Sequence, residues 1–447
     1  MAALNPKLTP SPPDAAPVPA RNSSYKWWVV FMLWSICFFN YADRQAIYSV
    51  FPRLKEEFGF DKFQLGLIGS AFMWVYAFGS PFAGYIGDRL RRKDLILGGC
   101  IFWSVITVLT GFCAKLWQFV VVRALEGVGE TFYFPSSISL ASDYHGPATR
   151  SRALSYHQSG VYLGTIGGSW AGGWFAEKLN WRDGFFVFGA LGALAGFVLY
   201  KFLREPRRGA ADDAAMTGGE PALSPLPFRE TARAIVRQPT VLFLLAAFLC
   251  ANFVATIFLV WTPTLLGEKF GFKLAAAGLS GSVYIHLASA VGAPAAGTVS
   301  DWLARRFRGG RMLVQAVGLL VGSVFVFVVG MTHNLTTLII TMTCFGFCKG
   351  VYDSNIFASL YDVLEPRARA TGVGVMNMVG WGGGSLGPLF LGWFASHGRR
   401  DAEVANMSKA LAGSGAVYLA GAVFLFGAAL SLPRQNSSSS PATRGED

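Results

Sequence analysis

Residues 84–93 read Gly-Tyr-Ile-Gly-Asp-Arg-Leu-Arg-Arg-Lys, and residues 297–306 read Gly-Thr-Val-Ser-Asp-Trp-Leu-Ala-Arg-Arg. Each stretch leaves a long apolar run and turns at once to charge. A Gly, an Asp four residues on, and two basic residues eight and nine on recur at the same offsets. A second pair of signals follows each copy. Pro147-Ala-Thr-Arg-Ser-Arg-Ala153 precedes a Gly-rich run (Gly160, Gly164, Gly167, Gly168, Gly172, Gly173). Pro366-Arg-Ala-Arg-Ala-Thr371 precedes another (Gly380, Gly382, Gly383, Gly384, Gly387). Internal repeats of this kind predict two related halves in one chain.

What surrounds these loops sets the solvent. The chain has 447 residues, 53% hydrophobic and 14% charged, against roughly 25% charged for an average soluble domain. The apolar residues gather into runs of about 20 or more, long enough to cross a bilayer core as helices. Twelve such spans are expected, near 27–50, 63–88, 95–114, 116–142, 151–177 and 184–203, then 240–266, 275–302, 311–331, 335–361, 368–396 and 411–432. The fold class is therefore an all-α membrane protein of two pseudo-symmetric six-helix halves, 26–203 and 239–432. The stretch 204–238, rich in Arg, Pro, Gly and Ala, reads as a cytoplasmic linker, and 1–25 and 433–447 as disordered tails.

The net charge of +12 does not point to nucleic acid, because the Lys and Arg lie mainly in loops between apolar runs. Most of them fall on the same side as both termini, which predicts cytoplasmic ends. The six Cys all lie in apolar segments without metal-type spacing and read as small core residues. Neither a phosphate-binding loop nor a nucleophile triad is present, so an enzyme is not expected. Energy for any transport must then come from an ion gradient or from the solute's own gradient.

The repeated Gly-x-x-x-Asp-Arg-x-x-Arg-Arg/Lys loop, the basic centre and the twelve spans resemble the major facilitator superfamily, over residues 26–432. Within it, Asn40-Tyr-Ala-Asp-Arg44, Glu130 and Trp261-Thr-Pro263 resemble the anion:cation symporter branch, which includes sugar-acid and hexuronate carriers. Arg123-Ala-Leu-Glu-Gly-Val-Gly-Glu130, Gly84-Tyr-Ile-Gly-Asp-Arg89 and Arg152-Ala-Leu154 are closer to the Spinster-like branch, associated with lysolipids and sphingolipids. Two positions depart from these patterns. Glu126 stands where the Spinster-like motif has an apolar residue, and Thr131 stands where the symporter branch favours Ala-Pro.

Charges at membrane depth mark a substrate or ion path. Arg123, Glu126 and Glu130 fall at i, i+3 and i+7, one stripe of a helix, with Glu130 about 10 Å beyond Arg123. Two acids there share one base, so one acid is expected to carry a proton. We read Glu130 and Asp43 as proton-coupling residues. Arg44 is either the structural partner of Asp43 or an anion ligand, and Arg123 is a substrate ligand or charge partner. Glu126 fits either a ladder of ion pairs or the site. Lys349 and Asp353, at i and i+4 in span ten, form a pair or a substrate contact. Tyr76, Tyr162 and Asn377 are the polar candidates for lining the cavity, while His157 and His286 read as satisfied core or cavity residues before proton relays. Asp88, Arg89 and Arg92 on the loop, with Asp301, Arg305 and Arg306 as counterpart, read as a gate latch.

These readings predict a monomeric multi-pass protein of a bacterial cytoplasmic membrane, moving a small organic anion (a sugar acid or monocarboxylate) with protons and without a cofactor. Carboxylates serve sodium as well as protons, so sodium stays open as the coupling ion. A Spinster-like lipid carrier is the rival, with Phe132 and Phe134 lining an apolar pocket. A sensor without net transport is the more distant one, because the linker and tails offer no sizeable signalling domain.

Overall fold

The structure is a computed structural model, and it describes residues 23–87, 90–206, 230, 233, 235, 237–365, 368–397 and 402–432. The described residues are almost wholly helical. The first half comprises α1 (Ser23–Ser49), the short α2 (Phe51–Phe58), α3 (Lys62–Gly87), α4 (Arg92–Thr110), α5 (Leu116–Thr131), α6 (Tyr133–Tyr144), α7 (Pro147–Lys178) and α8 (Trp181–Phe202). The second comprises α9 (Pro239–Phe270), α10 (Leu274–Arg306), α11 (Gly310–Met331), α12 (Leu335–Asp353), α13 (Ile356–Tyr361), α14 (Arg369–Ser396) and α15 (Glu403–Leu430).

Eight of the helical segments are long and apolar enough to cross a membrane. The expected spans one, four, five and eleven fall short of that measure. They correspond to α1, α5 with α6, α7 and α14, which carry buried charges or strings of Gly and Ser. Polar helices of this kind survive in a membrane only where they face protein or an internal cavity.

Two rods are broken along their length. The first breaks at Phe132, where α5 ends and α6 begins. Pro135 explains it, since a proline gives no N–H to the carbonyl of Thr131 four residues back. The second breaks at Ser354–Asn355 between α12 and α13. Each break lies within a few residues of ionisable side chains, Glu126 and Glu130 in the first and Lys349 and Asp353 in the second.

Gly brings the helices together. Along α7, Gly160, Gly164, Gly168 and Gly172 lie against the backbone of α1 at Trp34, Phe38, Ala42 and Ala46. A methyl group built on Gly168 would run into the Ala42 carbonyl, and backbone cannot yield as a side chain does. Small residues at such crossings permit the close approach that membrane helices rely on. Gly168→Leu is therefore expected to separate α1 from α7 and destabilise the first half by several kcal/mol, as overpacking of a rigid contact does. A drop in detergent melting temperature and in monodisperse yield would show it. A melting curve like that of the unsubstituted protein would contradict this account of the crossing.

The halves meet along two antiparallel seams. In one, α3 packs on α14 from Gly66 against Pro388 to Tyr76 against Trp381, whose ring centroids are 5.3 Å apart. The Ser70 hydroxyl donates to the Ser385 carbonyl there at 2.6 Å. In the other, α7 packs on α10 from Gly173 against Leu274, through Gly278 against the Ser169 backbone, to Tyr162 against His286.

The two ends of the bundle differ. The chain enters at one end, where Tyr25 donates to the Phe202 carbonyl at 2.7 Å and Thr240 bonds Ser431 at 2.9 Å. At the far end, two ion pairs cross between halves, Lys55 with Glu403 and Lys62 with Glu268. Gln45 also donates to the Leu259 carbonyl across the halves, at 3.0 Å. Near them, Arg182 grips Glu57 with both nitrogens, at 2.7 and 3.0 Å. That grip, with the Trp181 N–H, holds the Glu57 carboxyl below its usual range. Toward the terminal end, α6 and α7 of the first half border a cleft of about 590 Å³, lined by Ile138, Arg150, Ser151, Leu154, Ser155 and Gln158.

Candidate functional site

The charges predicted on spans one and four come together in one cluster. Asp43 and Arg44 lie near the far end of α1, and Arg123, Glu126 and Glu130 lie on α5. All five are at most 5% exposed. Arg44 reaches across to Glu130, and Arg123 pairs with Glu126 on its own helix. Arg44 also donates to Asn40 Oδ1 at 3.2 Å, and Arg123 to the Arg44 carbonyl at 3.4 Å. The hydroxyl of Thr107, on α4, donates to Asp43 Oδ2 at 3.2 Å.

Aromatic faces frame the two guanidinium groups. Arg44 lies 4.4 Å from the ring centres of both Tyr41 and Phe72, and 5.7 Å from that of Tyr76. Arg123 lies 5.3 Å from Phe72 and 5.8 Å from Tyr48. Such stacking suits a planar, weakly hydrated cation and keeps water off its face.

Charge counting shows what the cluster lacks. Carboxylate oxygens of Asp43, Glu126 and Glu130 lie within 4.8 Å of one another. Three acids face two arginines, so the fully ionised cluster carries one excess negative charge in a dry site. A proton or a hard monovalent cation would remove it. Glu130 Oε1, Arg44 Nε, Asn40 Nδ2 and Arg123 Nε are buried without a hydrogen-bond partner. The cluster therefore has donors and an acceptor in reserve.

Sequence reasoning leaves Glu126 open; here it is the direct partner of Arg123. In the second half Lys349 pairs with Asp353 as the i, i+4 spacing allows. Tyr162 and Asn377 are half-buried on α7 and α14, and Tyr76 is buried on α3. His157 sits in the core of the first half. Tyr133 donates its hydroxyl hydrogen to the Leu33 carbonyl at 2.7 Å, so His157 Nε2 is the donor to Tyr133 at 3.0 Å. Phe134 packs its ring against His157 at 5.9 Å, inside that core.

Of the expected latch, Asp88 and Arg89 lie outside the described residues. Arg92 is buried and pairs with Asp143 at the end of α6. Asp301 pairs with Arg311, at 2.9 Å, while Arg311 also holds Asp362 at 2.7 Å. Arg311, near the start of α11, thus holds a carboxylate beyond the end of α13 much as Arg92, at the start of α4, holds Asp143 on α6, although Arg92 belongs to the repeated stretch and Arg311 lies past it. The neighbouring Arg305 and Arg306 are not the partners that proximity in sequence suggests. Lys55, Lys62, Glu268 and Glu403 escape sequence reasoning, since nothing in their local pattern pairs residues from opposite halves.

Comparison with known proteins places this arrangement. The profile described as Major Facilitator Superfamily matches residues 33–388 and 302–447. The chain is 29% identical over 414 residues to sodium-dependent phosphate transport protein 1, chloroplastic, of Arabidopsis thaliana. That match covers 89% of this chain and 78% of the relative. It is 25% identical over 404 residues to the probable galactarate/D-glucarate transporter GudP of Escherichia coli (strain K12), covering 85% and 89% of the two chains. Among solved structures, it resembles a bacterial homolog to the human lysosomal transporter Spinster in an inward-facing and unoccupied conformation. The TM-score is 0.74 at 24% identity, over 92% of this chain and 97% of the other.

Proposed function

The chain belongs to the Major Facilitator Superfamily, and on that premise we propose that it is a secondary transporter carrying a small organic anion together with protons. The observation behind this reading is the Arg44–Glu130 pair. A guanidinium offers a fixed fork of donors that suits a carboxylate. Glu130 engages one nitrogen of that fork, Nη2, and leaves Nε unpartnered. A solute carboxylate takes both prongs only when Glu130 lets go. An ionised Glu130 would then be stranded in a dry site, at a cost of about 3–5 kcal/mol, the usual penalty for breaking a buried pair. A proton on Glu130 removes that cost. Anion and proton each favour the binding of the other, and the coupling is reciprocal.

Asp43 extends the same logic. Its carboxylate lies within 4.8 Å of the other two acids, so a proton that leaves one carboxyl has another acceptor close by. With anion and protons aboard, the cluster is close to neutral, and the two halves can rock about the α3–α14 and α7–α10 seams. The relatives named for phosphate and for galactarate and D-glucarate fit an anionic cargo. The membrane expected from the sequence is a bacterial cytoplasmic one, with the termini and the open cleft on the cytoplasmic side.

Uptake by proteoliposomes tests the reading. Labelled organic acids are expected to accumulate above equilibrium under an imposed pH gradient and not under a sodium gradient alone. Accumulation driven only by sodium would move the coupling to that ion. No anion movement under either gradient would sink the proposal.

A second reading rests on the terminal-end cleft. Its lining mixes Ile138 and Leu154 with Arg150, Ser151, Ser155 and Gln158, a surface that also suits an amphiphile such as a lysolipid. The expected pocket of Phe132 and Phe134 does not support it, since Phe134 is turned into the core against His157. Inhibition of uptake by lysolipids and not by sugar acids would favour this reading over the first.

A further inference from the structure

Arg44 can receive one anionic group, and the second half holds another cation, Lys349, at a like place along its own rod. Glu130 lies midway along the rod formed by α5 and α6, and Lys349 lies midway along the rod formed by α12 and α13. The two pairs differ in their surroundings. The side chains of Lys349 and Asp353 are 24% and 43% exposed, against 6% and 0% for Arg44 and Glu130. The second-half pair therefore borders open space. Asp353 can stay hydrated when its partner turns away, and an exposed pair contributes little to stability.

Two rings from different halves meet beside this lysine. Tyr162 on α7 and His286 on α10 have centroids 6.0 Å apart, and both lie within electrostatic reach of Lys349. His286 bonds the Ser282 carbonyl through Nδ1 at 2.8 Å. A carbonyl can only accept, so Nδ1 carries the hydrogen and Nε2 is left as an acceptor. A hydroxyl group is the natural donor to it. In the other seam between the halves, Tyr76 stands between Arg44 and Trp381, 5.7 Å from the first and 5.3 Å from the second.

We propose that Lys349 forms a second anion subsite, so that the solute is a small hydroxylated dicarboxylate with one carboxylate on Arg44 and the other on Lys349. The proposal rests on the anion-transport reading above and narrows its substrate class. A monocarboxylate would displace one of the two acids and leave the other pair closed. A dicarboxylate displaces both Glu130 and Asp353, and its hydroxyls meet His286 Nε2 and the flanking tyrosines.

Binding to the purified full-length protein, read by calorimetry with matched probes, tests this. The probes are glucarate against gluconate and succinate against butyrate. The diacid of each pair is expected to bind roughly 10- to 100-fold more tightly, the range for one added charge-assisted bond. Lys349→Met is expected to bring that ratio down to near one, and Lys349→Arg to keep it. Equal affinities for diacid and monoacid in the unsubstituted protein would overturn the second subsite while leaving anion transport standing. A ratio that Lys349→Met does not move would also overturn it. Should that variant fail to fold, the unsubstituted protein's own ratio still decides. If no organic acid binds at all, the transport reading falls and this one with it.

Discussion

Glu130→Gln is expected to abolish accumulation driven by a pH gradient while leaving exchange of labelled for unlabelled solute measurable. Glutamine has the shape of a protonated glutamate and cannot ionise. In that variant Arg44 has lost its anionic partner for good, and the excess negative charge of the cluster, three acids facing two arginines, is gone. Anion binding no longer waits for a proton. The accumulation ratio should fall at least tenfold, to the level set by the solute's own gradient. Binding should also lose most of its dependence on pH. In the unsubstituted protein it tightens as pH falls, because the proton that frees Arg44 is then more available; in the variant only the part that belongs to Asp43 remains. Full gradient-driven accumulation by Glu130→Gln would remove Glu130 from the coupling and leave Asp43 as the remaining candidate.

The second large effect is on stability. Arg44→Met leaves Glu130 buried without its charge partner, while Asp43 and Glu126 stay close by. Removing one member of a buried pair costs about 3–5 kcal/mol, largely because the stranded charge must be protonated or hydrated. Replacing both members with apolar residues of similar volume is often neutral. Arg44→Met should thus lower the melting temperature clearly, and the double variant Arg44→Met with Glu130→Met should recover most of the loss. Neither should bind organic acids. If the double variant melts no higher than the single one, the Arg44 side chain supports the fold by packing against Tyr41 and Phe72 rather than by its charge.

Much of this site is legible in the amino-acid sequence. Helical spacing places Arg123, Glu126 and Glu130 on one stripe, and the cost of charge in a membrane marks them as partnered. The repeated loop indicates that span one belongs to the same half. The choice of partners is not legible. Arg44 is drawn to Glu130 on another helix rather than to its neighbour Asp43, because successive helical residues point in different directions. Asp43 instead meets its own backbone at Arg44 N, 2.7 Å away, and Thr107 on α4. The far-end pairs are invisible for a related reason. Lys62 and Glu268 are 206 residues apart, and neither lies at a position that hydropathy marks. The count of twelve spans is consistent with the rods, yet among the described residues only eight segments are long and apolar enough to cross a membrane. The others fall short through the charges and glycines that make them useful. Their partner is an internal cavity or another backbone, and hydropathy has no term for either.

The far-end crossings of Lys55 with Glu403 and Lys62 with Glu268 bear on which side of the membrane is served first. In this conformation they tie the two halves together at the end away from the termini. No such bias can alter how steeply a solute is finally concentrated, since that limit belongs to the driving gradient alone. It can make the two directions unequal in speed and in the concentration that half-saturates them. A carrier that waits open on one face captures dilute solute there. On the other face it must first break two ion pairs, one with a lysine shut away from water, before it can accept anything. A carrier biased in this way is reversible in principle and unequal in its two directions, and the inequality is set some distance from the buried charge cluster.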